Sequence, residues 1–113
     1  MLNRAALIIS YREPFVQWIN EADPAKKKPA ITVEQANEDG TVYLISDEDG
    51  EAHEEWLALK FDTLFESELS DWYTNPSLWP ANRDRETFDE WITVRCHTMI
   101  YDTLDEPLID IVL

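Results

Sequence analysis

Between Glu34 and Asp71 the chain carries thirteen acidic residues and one base, Lys60, so a third of its length can fold only with one side of each element left in water. The strongest helical pattern in the sequence obeys this constraint. From Glu51 to about Leu69, Leu57, Phe61, Leu64 and Phe65 fall on one stripe, while Glu54, Glu55, Asp62 and Glu66 face outward. Its acidic first turns suit the positive end of the helix dipole.

The acidity is uneven. The chain as a whole has 24 acids against 9 bases, a formal charge of −15, yet residues 1–30 hold five bases (Arg4, Arg12, Lys26, Lys27, Lys28) and three acids. A surface so negative repels phosphate backbones and anionic headgroups, which argues against direct nucleic-acid or membrane binding. Two readings remain: acidic side chains that keep the chain soluble, or a field that attracts a basic protein, including by imitation of a nucleic acid.

Residues enough for a core are present: 44% of the 113 are hydrophobic and five are tryptophan, which speaks against disorder and for one domain spanning 1–113. No apolar run approaches the 18 residues of a membrane span. No small-residue cleavage site follows the N-terminus, so no signal peptide is expected. The lone Cys96 cannot form an internal disulfide, which fits a reducing, cytoplasmic setting.

Residues 4–11 read as a buried strand. Pro14 then opens a helix whose Phe15, Trp18, Ile19 and Ala22 share a face, ended by Asp23-Pro24. Residues 25–30, three lysines between prolines, read as a surface loop. Thr32 and Gln35 have capping-box spacing for a short helix over 33–38, with Gly40 expected to take a left-handed exit. Thr41 to Ser46 is a second strand and Asp47 to Gly50 a turn before the long helix. Residues 70–83 show no helical period and read as an ordered loop; Asp84 caps a short helix with Phe88, Trp91 and Ile92 inward; residues 93–101 alternate as a strand. The apolar segment 103–113 is expected to add an edge strand or dock on the core. The resulting expectation is an α+β or α/β domain with a three- to four-stranded mixed sheet and three to four helices, the first two strands running parallel if they are neighbours.

Few residues offer chemistry. Cys96 and His97 are adjacent on a strand, so their side chains leave opposite faces and cannot form a thiolate–imidazolium pair. Cys96 shares its face with Val94 and Ile100 and reads as a small buried hydrophobe. His97 reads as a polar residue on the other face, with an acid–base role as the alternative. His53 stands in an acidic turn that has neither calcium-loop spacing nor a second ligand at i+3 or i+4, so no metal site is expected. With only Gly40 and Gly50, both in acidic surroundings, no phosphate-cradling loop is present and no cofactor is expected. Carboxylate pairs such as Glu54-Glu55 and Asp89-Glu90 lie on solvent faces. The residues with most claim to partner binding are Trp72, Tyr73, Trp79 and Arg83, types that dominate interface energetics, held in a proline-constrained loop; the competing reading makes Trp72 and Trp79 a cap on the core.

Asn3-Arg4, Pro14-Phe15, Trp18, Thr41 to Ile45, Trp72-Tyr73-Thr74, Leu78-Trp79-Pro80, Asn82-Arg83, Phe88, Trp91 and His97 together resemble the pattern of a family of short acidic bacterial proteins of unknown function. The resemblance implies no activity, cofactor or catalytic residue. The lysine run at 26–28 and the segment from Thr103 onward depart from that pattern. The functional expectation is a small acidic cytosolic protein–protein interaction or regulatory module with a basic partner; the alternatives are a small enzyme or enzyme subunit using His97, and a nucleic-acid-mimicking inhibitor.

Overall fold

The structure is a computed structural model and describes residues 1–111. Within them the chain forms a small α+β domain: β1 (Arg4–Tyr11), α1 (Glu13–Ala22), α2 (Val33–Ala36), β2 (Val42–Ser46), α3 (Asp47–Glu51), α4 (His53–Trp72), α5 (Arg85–Trp91) and β3 (Ile92–His97), with a 3-10 turn at Pro76–Leu78. The sheet has three strands in the order β2-β1-β3. Its apolar run makes β1 the natural centre: Ala5, Ala6, Leu7 and Ile9 are buried.

Both pairings are antiparallel, with Leu7 opposite Tyr43 on one side and Cys96 on the other. The parallel arrangement expected for β1 and β2 is therefore overturned, and the connection between them explains why. A crossover to a parallel neighbour must return to the start of the first strand. Here the chain comes back to its end. Asn37, just past α2, accepts from the Tyr11 N–H at 2.8 Å and donates to the Tyr11 carbonyl at 3.0 Å, and the Ile9 N–H donates to the Thr41 carbonyl at 3.2 Å. Strand β2 thus begins beside the end of β1 and can only run back.

The local signals in the short elements behave as read. Thr32 and Gln35 form the reciprocal capping box of α2 at 3.1 and 2.9 Å, and Asp84 accepts from the Thr87 N–H at 2.8 Å to cap α5. Several boundaries differ: α2 ends at Ala36 rather than at residue 38, and Ile92 opens β3 instead of belonging to the helix before it. Ser46 caps Asp47–Glu51 into a helical turn, which a non-helical Ala52 separates from α4; α4 itself runs on to Trp72; and β3 ends at His97. Gly40 does not take a left-handed conformation. Its lack of a Cβ instead permits close approach, since an added one would lie 3.0 Å from the Ile9 carbonyl oxygen.

The core lies between the inner face of the sheet and helices α1, α4 and α5, around Leu7, Phe15, Leu64, Phe65, Leu69 and Phe88. Tyr11 stacks on Phe15 at 4.1 Å, and Trp91 meets Phe15 and Phe65 edge-on at 5.7 Å each. The expected C-terminal edge strand is absent from residues 103–111, which carry no regular structure and are exposed; Val112 and Leu113, part of the same expectation, lie outside the described residues. Past β3 the Ile100 carbonyl accepts from the Leu2 N–H at 2.7 Å, so the chain has already reached the start of β1 and is leaving the sheet.

Gly50 is where the sequence tolerates least. It is buried in α3 against the Ala5 side chain, and a Cβ there would overlap the Ala5 Cβ. Helix propensity favours alanine over glycine, but Ala5 sits on a central strand and cannot yield. Gly50→Ala is expected to lower stability by about 1–3 kcal/mol in urea denaturation, the cost of overpacking, although the same change in an open helix would raise it.

Candidate functional site

The most unusual chemistry in the molecule lies inside it. Glu68 is fully buried, a charged residue type at 0% exposure. Its Oε1 accepts from the Tyr11 hydroxyl at 2.6 Å and from Thr41 Oγ1 at 3.3 Å, and its Oε2 accepts from the Tyr43 hydroxyl. Each tyrosine is supported in turn: Trp72 Nε1–H donates to Tyr11 Oη at 3.0 Å, and Ser67 Oγ lies 2.8 Å from Tyr43 Oη. The proton order follows from the donor count, because each phenol gives its one proton to the carboxylate and receives from its other neighbour.

The sequence contained a signal for this residue. Leu57, Phe61, Leu64 and Glu68 stand at i, i+4, i+7 and i+11, so the stripe that carries the core of α4 also carries Glu68 inward. Strand alternation likewise points Tyr11 and Tyr43 to the helix-covered face. What the sequence could not show is that three strand and loop residues converge on one carboxylate.

Burial, followed by the bond to Glu68, pushes both the Tyr11 and Tyr43 phenols well above their ordinary value. The unfolded chain ionises its phenols near pH 10 while the folded chain holds these two protonated, so their contribution to stability is intact below about pH 10 and is lost as pH rises beyond it. With Glu68 buried and its hydroxyl partners half-buried, the cluster serves as a polar rivet joining β1, β2 and the end of α4, and it fixes the orientation of Trp72.

The loop that follows is strapped down by similar bonds. Tyr73 Oη donates to the Ile19 carbonyl at 2.6 Å, Trp79 Nε1 to the Tyr73 carbonyl at 2.7 Å, and Trp18 Nε1 to the Leu78 carbonyl at 2.9 Å. Arg83 donates to the Pro80 carbonyl at 2.8 Å and stands 5.7 Å over the Trp79 ring. The four residues singled out in the sequence therefore divide. Trp79 and Arg83 brace the strap, whereas Trp72 and Tyr73 line an open cleft of about 70 Å³ with Ile19, Pro29 and Ile31; Asn20, Asp23, Lys26 and Lys28 supply its polar lining. Its walls are held: Asn20 brackets the Ile31 backbone at 2.9 and 3.0 Å, and Asp23 accepts from the Ala25 and Lys27 N–H groups at 3.1 and 3.3 Å. Lys26 takes a left-handed φ of 48°, a conformation that side-chain-bearing residues rarely adopt.

The other candidates remain apart. His97 is exposed on the open face of the sheet beside Ala6; Cys96 points inward beside Leu7, where its Sγ–H reaches the Gly50 carbonyl at 3.7 Å and burial pushes the thiol up. His53 Nε2 lies 3.4 Å from Glu54 at the start of α4. Among the described residues no three of His, Cys, Asp and Glu converge as metal ligands, and no helix is long and apolar enough to cross a membrane. No protein-family model, curated protein or solved structure matches the chain, so the reading of its surface rests on these residues.

Alkaline titration tests the rivet. Phenolate absorbance from Tyr11 and Tyr43 is expected to appear only together with loss of the native circular dichroism above pH 10; smooth ionisation of every tyrosine with the fold intact would contradict it.

Proposed function

We propose that the protein is a small acidic cytosolic interaction module that engages a basic protein along α4 and anchors it at the Trp72–Tyr73 cleft. The observation that carries this reading is the cleft itself, where two rigidly bonded aromatic side chains of the type found at interface hot spots line an open concavity. A partner side chain entering it meets surfaces already ordered, so little rotamer entropy is lost on binding.

Charge supports the choice of a basic partner. Glu55, Leu59, Asp62 and Glu66 form one exposed stripe along α4 at i, i+4, i+7 and i+11, with Leu59 79% exposed between carboxylates. The helix has 20 residues, about 30 Å at 1.5 Å each, and the stripe leads toward the cleft at its C-terminal end. Asp47, Glu48, Asp49 and Glu51 of α3 extend the field at the other end. A basic segment is drawn in by the stripe, while an apolar side chain in the cleft fixes its register.

The test separates these two contributions. Immobilised protein is expected to retain a basic partner at low salt and release it at high salt. Replacing Glu55, Asp62 and Glu66 by Gln should weaken retention roughly tenfold and flatten the salt dependence. Ile31→Glu, which places a charge in the cleft, should weaken retention while leaving the salt dependence in place. Retention unaffected by either variant would contradict the assignment.

A further inference from the structure

Two apolar surfaces left open in this fold match one another, one on a free edge of the sheet and one in the segment that follows the opposite edge strand. Strand β2 is an edge strand: its pairing to β1 uses one side of its backbone, and on the side away from β1 no backbone partner is present among the described residues. Its outward side chains Val42 and Leu44 are 53% and 48% exposed, two residues apart on one face. At the other edge the chain leaves β3 and continues as a segment without regular structure, bent over 104–106, in which Leu108, Ile109 and Ile111 are each more than 60% exposed. Ile109 and Ile111 also stand two residues apart, the strand period that puts them on one face.

We propose that the C-terminal segment of one molecule adds as a fourth strand to the free edge of β2 in a second copy, and that the exchange is reciprocal. Residues 103–111 reach about 30 Å at roughly 3.3 Å per residue, enough to run the full length of five-residue β2. Ile109 and Ile111 then lie beside Leu44 and Val42 as cross-strand pairs, and the backbone of the segment takes up the unpaired groups of the β2 edge. The alternative edge, β3, presents Thr93, Arg95 and His97 outward and offers no apolar match. Within one molecule the segment departs from the far edge of the sheet, two strand spacings from β2. It stands away from its own domain: the radius of gyration is 15.6 Å, against about 13 Å for a compact chain of this length. Two-fold exchange leaves no further open partner, so the assembly closes as a dimer.

Both surfaces are flanked by acids: Glu38, Asp39, Asp47 and Glu48 around β2, and Asp105, Glu106 and Asp110 in the segment. Association of like charges strengthens as salt screens them, the opposite of the dependence given above for a basic partner. Sedimentation equilibrium of the full chain over a range of concentration and salt is expected to show a monomer–dimer equilibrium that shifts to dimer at high salt. Ile109→Asp with Ile111→Asp changes only exposed side chains and should abolish the dimer without altering the melting temperature of the monomer. In a Cys96→Ser background, mixing a Leu44→Cys chain with an Ile109→Cys chain under oxidation should give a disulfide between the two. A wild-type chain that stays monomeric throughout, a dimer that survives the double substitution, or no disulfide between the mixed chains would overturn the proposal.

Discussion

Everything that gives this small fold its specific shape converges on a carboxylate sealed from water. Removing Glu68 from solvent costs several kcal/mol if its oxygens are left bare, and among the described residues no basic side chain pairs with it. What offsets the cost is three hydroxyl donors, from the end of β1, from the residue preceding β2 and from β2 itself. These bonds exist only when β1, β2 and α4 are all in place with the correct register. A one-residue slip of either strand would turn Tyr11 or Tyr43 to the open face and strand the carboxylate. A polar centre of this kind contributes less to net stability than the surrounding Phe15, Phe65 and Leu69, but it discriminates sharply between the native register and its neighbours.

The same bonds carry order to the surface. From Glu68 a chain of donors runs through Tyr11 to the indole of Trp72, and the neighbouring Tyr73 is tied to α1 through the Ile19 carbonyl. The cleft is thus an extension of the core, its aromatic wall held by buried partners, while its opposite wall is the lysine loop shaped by Asp23. The acids crowd the other parts of the surface, on α3 and the outer stripe of α4. Helix α4 organises both: its inward stripe holds the core and Glu68, its outward stripe holds the carboxylates, and its end presents Trp72.

Much of this was legible in local chemistry. Pro14, the Thr32–Gln35 capping box and Asp84 each mark a helix start by satisfying, or by lacking, an orphan N–H, and such signals act over three or four residues. The antiparallel pairing of β1 and β2 was not legible, because it depends on Asn37 closing on Tyr11 across 26 residues. Glu68 was half legible: its position on the stripe was readable, its hydroxyl partners were not. Likewise the residue types of the 72–83 loop stand out in the sequence, but only the fold separates Trp72 and Tyr73, which line the cleft, from Trp79 and Arg83, which brace the strap. The apolar C-terminal segment carries the composition of a strand, yet β3 ends at the start of β1 and leaves that segment without a neighbour in its own chain.

A double-mutant cycle on Tyr43→Phe and Glu68→Met measures the central interaction directly. Tyr43→Phe strips the buried Glu68 Oε2 of its hydroxyl donor and Glu68→Met leaves the half-buried Tyr43 hydroxyl with Ser67 alone, whereas the pair removes both groups. If the carboxylate is held as described, urea unfolding will show the double variant to be less destabilised than the sum of the singles by about 1–3 kcal/mol. Additive losses would mean that Tyr43 and Glu68 contribute independently, and the carboxylate would no longer be the point on which the register depends.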